Sequence, residues 1–289
     1  MIFINPKTDF AFKKIFGSEQ SKDILISFLN ALLYQGRAVI QDVEILNPYL
    51  APQIQGIKDT YLDVKARITG DKTVIIEMQV LNVEGFEKRI LYNAAKAYSI
   101  QLQPGADYTI LSPVIALTIT DFEMFEHLNQ VISNFILKEK RLLTDSPIND
   151  LKLVFVELPK FSKSLEELET LTEQWIYFIK TARTLETIPE SMAQVPEIRK
   201  AFEVANQANL TREELEALEQ REIYIHAQRN AIRRALRQGK EETRREIAKQ
   251  LLDVLDEETI SRKTGLSLEE VRQFKIDELN DEYSQIDNG

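Results

Sequence analysis

Apolar and polar residues alternate twice in close succession near residue 60. Tyr61-Leu62-Asp63-Val64-Lys65-Ala66-Arg67-Ile68 and, after Thr69-Gly70-Asp71, Lys72-Thr73-Val74-Ile75-Ile76-Glu77-Met78-Gln79-Val80 show the period of two expected of strands. A three-residue loop carrying Gly predicts a hairpin in which Ile68 faces Lys72. Leu62, Val64, Ala66 and Ile68 then point one way and Tyr61, Asp63, Lys65 and Arg67 the other, while Val74, Ile76, Met78 and Val80 lie opposite Thr73, Ile75, Glu77 and Gln79. In this register Asp63 falls directly across from Glu77.

The rest of the pattern supplies elements around that hairpin. Residues 23–33 read as a helix, 43–48 as a strand, and 86–98 as a helix whose Arg89, Tyr92 and Lys96 share one solvated side while Ile90, Leu91, Ala94 and Tyr98 face the sheet. Strands are expected at 114–119 and at 153–158, the second stopped by Pro159. Ser164 is an N-cap candidate for a helix carrying the stripe Leu168, Leu171, Trp175, Phe178 and Ile179, which places Trp175 in the core. Pro189 and Pro196 break the helical pattern. From Thr211 a capping box opens a long, charged, exposed helix in which Arg229, Arg233, Arg234 and Arg237 cluster. That cluster reads either as a phosphate contact or as a solvated or oligomerising face. Residues 247–255, 257–264 and 267–274, with Gly265 at the turn, have helix-turn-helix proportions.

Composition narrows the chemistry. A chain of 289 residues with 44% hydrophobic content can bury a sizeable core plus an appendage. It has no Cys, only His127 and His226, and neither a Gly-x-Ser-x-Gly nor a Walker-type loop, so thiolate zinc, His-rich metal and Ser-His-Asp chemistry have little to build from. No apolar stretch is long enough to span a membrane and no signal pattern is present, so the cytoplasm is the expected location. Thirty-six basic residues against 46 acidic give a net charge of −10, which opposes long-range attraction to nucleic acid. Residues 240–289 hold eight basic and fourteen acidic residues, and the second helix of the terminal pair opens Ser267-Leu268-Glu269-Glu270. Acids at that end oppose major-groove reading and favour a packing or assembly module.

Opposed carboxylates, with side chains roughly 5 Å apart, repel, and require Lys, Arg or a divalent ion beside them. Magnesium takes oxygen ligands, keeps several waters and needs one or two carboxylates; Asp63, Glu77 and the Met78 carbonyl make such a set, with Gln79 on the same face to hold a water. The same residues also read as solvated positions of a half-exposed antiparallel sheet.

The segments Asn5-Pro6-Lys7-Thr8-Asp9-Phe10-Ala11-Phe12-Lys13-Lys14-Ile15-Phe16-Gly17, Val43-Glu44-Ile45-Leu46-Asn47-Pro48, the Asp63…Glu77-Met78-Gln79 hairpin and Phe86-Glu87-Lys88-Arg89-Ile90-Leu91-Tyr92 lie in a telling order. Over residues 1–160, and more loosely at the C-terminus, the chain resembles the Rpn family, the recombination-promoting nuclease and transposase group of the PD-(D/E)xK nuclease superfamily. The resemblance implies an α/β, restriction-endonuclease-like mixed sheet flanked by helices in 1–160, a helical extension in 161–205, and a long charged helix with a small helix-turn-helix-like module in 206–289. It implies a DNA endonuclease associated with recombination or mobile elements, using magnesium or another hard divalent cation such as manganese or calcium. Metal ligands would be Asp63, Glu77 and, from the opening segment, Asp9, which otherwise reads as a helix N-terminal acid beside Thr8. Gln79 stands where the motif usually has Lys, so a cation is missing; Lys65 is the candidate replacement, and Arg89 and Tyr92 the candidate DNA contacts. The competing expectation is a nuclease fold without turnover, DNA-associated or assembling as a homo-oligomer through its C-terminal helices.

Overall fold

The computed structural model describes residues 2–50, 60–141, 144 and 148–286, with side chains described as far as residue 277. The hairpin forms in the expected register. Strands β4 (Val64–Ile68) and β5 (Lys72–Gln79) pair antiparallel with Ile68 opposite Lys72 and Val64 opposite Ile76. The turn is closed by Gly70 and Asp71 at φ values of 80° and 58°, left-handed conformations that favour Gly and tolerate Asp.

Four further strands complete one sheet. β1 (Val43–Leu46) pairs antiparallel with β4, β6 (Val114–Thr120) parallel with β5, β8 (Leu151–Glu157) parallel with β6, and β7 (Ile132–Phe135) antiparallel with β8, giving the order β1-β4-β5-β6-β8-β7. A small second ladder joins β2 (Tyr49–Leu50) to β3 (Thr60–Tyr61). Because β5 and β6 are parallel, the chain must cross over between them, and α3 (Phe86–Ser99) makes that crossing.

The two faces of the sheet bury different layers. Val64, Ala66, Ile68, Val74, Ile76, Met78, Leu117, Ile119, Val154 and Val156 pack against α1 (Asp9–Phe16), α2 (Lys22–Tyr34), α4 (Leu171–Thr181) and α6 (Pro196–Val204), the last preceded by the short α5 (Glu190–Ala193). Ile75, Val114 and Ala116 pack against Ala94 and Ala97 of α3 on the other face. Leu62 belongs to this second layer rather than with Val64, because the backbone bends at Asp63 and breaks the alternation. Helix α3 is rotated relative to expectation: Leu91 is exposed, and Lys96 is buried with its Nζ 3.4 Å from Thr60 Oγ1. Between Phe86 at its start and Tyr98 at its end, α3 meets the sheet through Ile90, Ala94 and Ala97, so the apolar stripe is set by Ala as much as by Leu.

Trp175 anchors the larger layer. It is fully buried, packs against Phe16, Phe28 and Phe178, and donates its indole N–H to Ser27 Oγ at 3.1 Å. Residues 161–205 therefore contribute to the same core as the sheet. The helix predicted from Ser164 starts later, at Leu171, where Thr170 and Glu173 form a second capping box.

The chain divides into two compact units, Met1–Ile225 and His226–Gly289, and the 39-residue helix α7 (Arg212–Gln250) runs through the division. In the second unit Ala248, Ile260, Leu266 and Val271 make a small core with α8 (Glu257–Thr264) and α9 (Leu268–Ile286) around Gly265, whose φ is 73°. Glu270 accepts from the Ser267 N–H at 2.9 Å, so the start of α9 is a capping box.

Trp175→Ala removes the largest buried side chain and leaves the Ser27 hydroxyl without its donor. The expected cost is about 3–5 kcal/mol, read as a lower urea midpoint by circular dichroism with the native helical signal intact in buffer.

Candidate active site

The β4–β5 ladder ends in a side chain. Beyond Val64 the Asp63 N–H still donates to the Ile76 carbonyl at 3.2 Å, but the Met78 N–H goes to Asp63 Oδ2 at 2.7 Å. That bond fixes the Asp63 carboxylate beside Glu77, the next residue but one along the ladder from Ile75. Both side chains are largely withdrawn from water, at 12% and 15% exposure, in a cleft of about 410 Å³ lined by Asp9, Lys13, Tyr61, Asp63, Glu77, Met78, Gln79, Arg89, Tyr92, Asn93 and Arg221.

Each carboxylate has one cation facing it, from a different helix. Lys13 Nζ of α1 lies 3.9 Å from Asp63 Oδ1, and Arg89 Nη2 of α3 lies 3.1 Å from Glu77 Oε1. Arg221 Nε of α7 lies 2.8 Å from Asp9 Oδ1, an ion-pair distance without hydrogen-bond alignment. Asn93 adds a donor, its Nδ2 reaching Glu77 Oε2 at 3.3 Å, while its own Oδ1 is buried with no hydrogen-bond partner.

Burial dominates the electrostatics of the pair. Desolvation pushes Asp63 up to about 6, against the Met78 N–H and Lys13, which favour the charged form, and with Glu77 and Asp9, which oppose it. Desolvation also raises Glu77, opposed by Arg89 and by the Asn93 and Arg89 hydrogen bonds. The nearby cations thus only partly offset the cost of holding two acids out of water.

The predicted residues meet this geometry unevenly. Asp63, Glu77, Gln79, Arg89, Tyr92 and Asp9 all line the cleft. Lys65 is not among its lining residues: it stands across from Ile75 on the α3 side of the sheet, and burial, then Arg67, lowers its pKa. Gln79 sits where expected, but each end of its amide has a protein partner. Its Nε2 donates to the Leu81 carbonyl at 2.7 Å and its Oε1 accepts from Arg89 Nη2 at 2.8 Å, so the side chain holds Arg89. Arg89, on α3, is thus a cation that reaches both Glu77 and Gln79.

A family model described as PD-(D/E)XK nuclease family transposase matches residues 6–235, a span that contains every residue of the cleft. The chain belongs to that family. The six-stranded mixed sheet flanked by helices is the α/β, PD-(D/E)XK nuclease-like fold. No curated protein and no solved structure matches the chain.

PD-(D/E)XK nucleases generally use divalent cations. Among the described residues no three acidic or histidine side chains converge to hold an ion by themselves. The donors present are all oxygens: two half-neutralised buried carboxylates, with the unpartnered Asn93 Oδ1 in the same cleft. Such a set suits a hard divalent cation that keeps most of its water. Asn93 and Arg221 escaped sequence reasoning, whereas Lys13 stands out there only as part of the basic pair Lys13-Lys14. Asn93 left one signal, a polar residue between Ile90, Ala94 and Ala97 on the buried side of α3; Arg221 left none, being 158 residues from Asp63 (221 − 63).

A raised carboxylate pKa favours folding fully below the unfolded value of 3.8 and loses that contribution as pH rises through about 6. Asp63→Asn, which keeps an acceptor for the Met78 N–H, is expected to stabilise the metal-free protein at pH 7.5 by on the order of 2–3 kcal/mol. The gain should vanish below about pH 4, as read by thermal unfolding in a chelator across pH.

Proposed function

We propose that the cleft hydrolyses DNA phosphodiesters, with Asp63 and Glu77 holding magnesium or a similar hard cation. The observation that carries this reading is the pair itself: two acids opposed across a strand pair, largely buried, and incompletely offset by the cations beside them. Two acids held out of water in one cleft, with cations that only partly offset the cost, are placed for a ligand that both can share. When bound, the ion supplies an acidified water and charge to offset that growing on the scissile phosphate.

This chain's own residues do the rest. Arg89 presents a guanidinium already oriented by Glu77, Gln79 and the Phe86 ring, 4.9 Å below it, and stabilises the phosphate oxygens. Gln79 acts through Arg89 as a positioning residue. Tyr92, half-exposed on the next turn of α3, gives a ring and a hydroxyl to the approaching strand. Lys13 faces Asp63 and is exposed enough to turn toward a phosphate. Asp9, held by Arg221, shapes the far side of the cleft. The family's link to transposases supports a role with mobile DNA.

A second reading has its own observation. Three acids and three cations pair one to one in the cleft, Asp9 with Arg221, Asp63 with Lys13 and Glu77 with Arg89, an arrangement that a nuclease fold without turnover would adopt. Supercoiled plasmid separates the two. Nicking of plasmid by the purified chain with magnesium or manganese, lost in the Asp63→Ala, Glu77→Ala double variant, supports hydrolysis; no nicking with either ion, or nicking that survives the double variant, overturns it. Arg89→Ala should lower the rate about 100-fold, and Arg89→Lys should recover part of that loss by restoring charge without the planar fork.

Magnesium at 100 times its Kd should stabilise the wild-type protein by about 2.7 kcal/mol at pH 7.5. The Asp63→Asn, Glu77→Gln variant should show no such shift in the same thermal scan.

A further inference from the structure

Every residue from 230 to 247 of α7 is exposed. A helix of that length with no packing along its middle is held by local pairs or by something that covers it. The candidates are a second copy of the chain and a ligand of opposite charge.

The sequence of this stretch disfavours a second copy. Its exposed apolar residues are Ile232, Leu236 and Ile247, and extending the heptad seam that begins at Ile232 and Leu236 reaches Gly239, Thr243 and Glu246. A coiled-coil partner would find no continuous apolar stripe.

Charge points the other way. Residues 228–240 contain five basic residues and no acid, within a chain whose net charge is −10. Arg233, Arg237, Lys240 and Arg244 recur at spacings that keep them within about 60° of arc and over roughly 16 Å of helix. With Leu236 and Leu266 they line a groove of about 500 Å³ in the second unit. Among the described residues Arg237, Lys240 and Arg244 make no ion pair, and Arg233 donates only to Asn230 Oδ1 at 2.8 Å. The one acid in the groove, Glu241, is already taken by Arg245 at 2.8 Å. Like charges at these spacings repel by a few tenths of a kcal/mol per pair, a cost that a polyanion removes.

We propose that this face of α7 holds the sugar-phosphate backbone of duplex DNA. The inference rests on the reading of the cleft as acting on DNA. It supplies what an acidic chain lacks, a local row of cations facing a polymer with one charge per about 1.7 Å of axis. Helix α9 is not the reading element, because Glu269 and Glu270 stand at its start and Glu270 is committed to Ser267. Contact is with phosphates, so binding should depend steeply on salt and little on sequence.

The test is fluorescence anisotropy of a labelled duplex with the full chain in chelator, over a range of salt. The Arg233→Gln, Arg237→Gln, Lys240→Gln, Arg244→Gln variant, checked for native helical content, should bind about tenfold or more weakly at low salt. Its log–log salt slope should be shallower by about 3 to 4 units, near 0.9 per lost phosphate contact. A control with Lys22, Lys163, Lys200 and Arg212 all changed to Gln should keep the wild-type slope. An unchanged slope in the first variant, or an equal loss in the control, overturns the proposal. So does a change in sedimentation coefficient of the first variant without DNA, which would assign the face to a second copy. If wild-type protein fails to nick plasmid yet the first variant loses the salt slope, the hydrolytic reading falls and the α7 contact stands.

Discussion

Two carboxylates that must sit side by side, and largely out of water, set the requirements for the rest of the first unit. The register of β4 and β5 leaves Asp63 and Glu77 no way to separate: shifting it by one residue would turn Val64, Ala66, Ile76 and Met78 out of the core. The Met78 N–H then pins one of the carboxylates in place. With the acids fixed, cations have to come to them, and they come from α1 and α3, while α7 brings Arg221 to Asp9 at the edge of the same cleft.

Packing is what delivers those cations. Phe12 and Phe16 of α1 lie in the aromatic cluster around Trp175, which sets Lys13 over Asp63. The parallel pairing of β5 with β6 forces a crossover, and the crossover helix α3 lies on the sheet through Ile90, Ala94 and Ala97 with Arg89 and Asn93 turned to the strand ends. Leu218 of α7 is buried in the main core, one turn from Arg221. A core of this kind does more than stabilise: it decides which side chains are aimed at the acids. The trade is visible in Asp63, whose neutral form the folded chain prefers at mildly acidic pH.

How much of this was legible beforehand follows from the range of each interaction. The hairpin register could be read because it depends on local alternation and on a Gly-containing loop of three residues, both written within about twenty positions. Trp175 could be placed in the core from its stripe alone. The side of the sheet taken by Leu62 could not, since a single bend at Asp63 reverses the alternation that had carried the inference. The faces of α3 were misjudged for a related reason: Leu91 outweighs Ala94 and Ala97 on any hydrophobic count, yet close packing of a crossover helix on a sheet selects the small residues. Lys65 is the compensating cation that nearness to Asp63 in sequence suggests, whereas the cation facing Asp63 in space is Lys13, 50 residues earlier (63 − 13).

The substitution of Gln for Lys in the acidic motif looks different once Arg89 is included. A Lys at position 79 would put its ammonium on the strand; Gln79 instead offers an oxygen, anchored through its own amide to the Leu81 carbonyl, and that oxygen receives an arginine. The charge is kept and its origin moves from the sheet to the helix. A guanidinium held at two points has less freedom to lose on meeting a phosphate than a Lys on four rotatable bonds. It also ties the charge to Glu77, so under the proposed hydrolysis the residue that offsets an acid is also the one set against the substrate's negative oxygens. Under that proposal turnover depends on how readily Arg89 shifts from one anion to the other, and its buried donor Nε has no hydrogen-bond partner to hold it back.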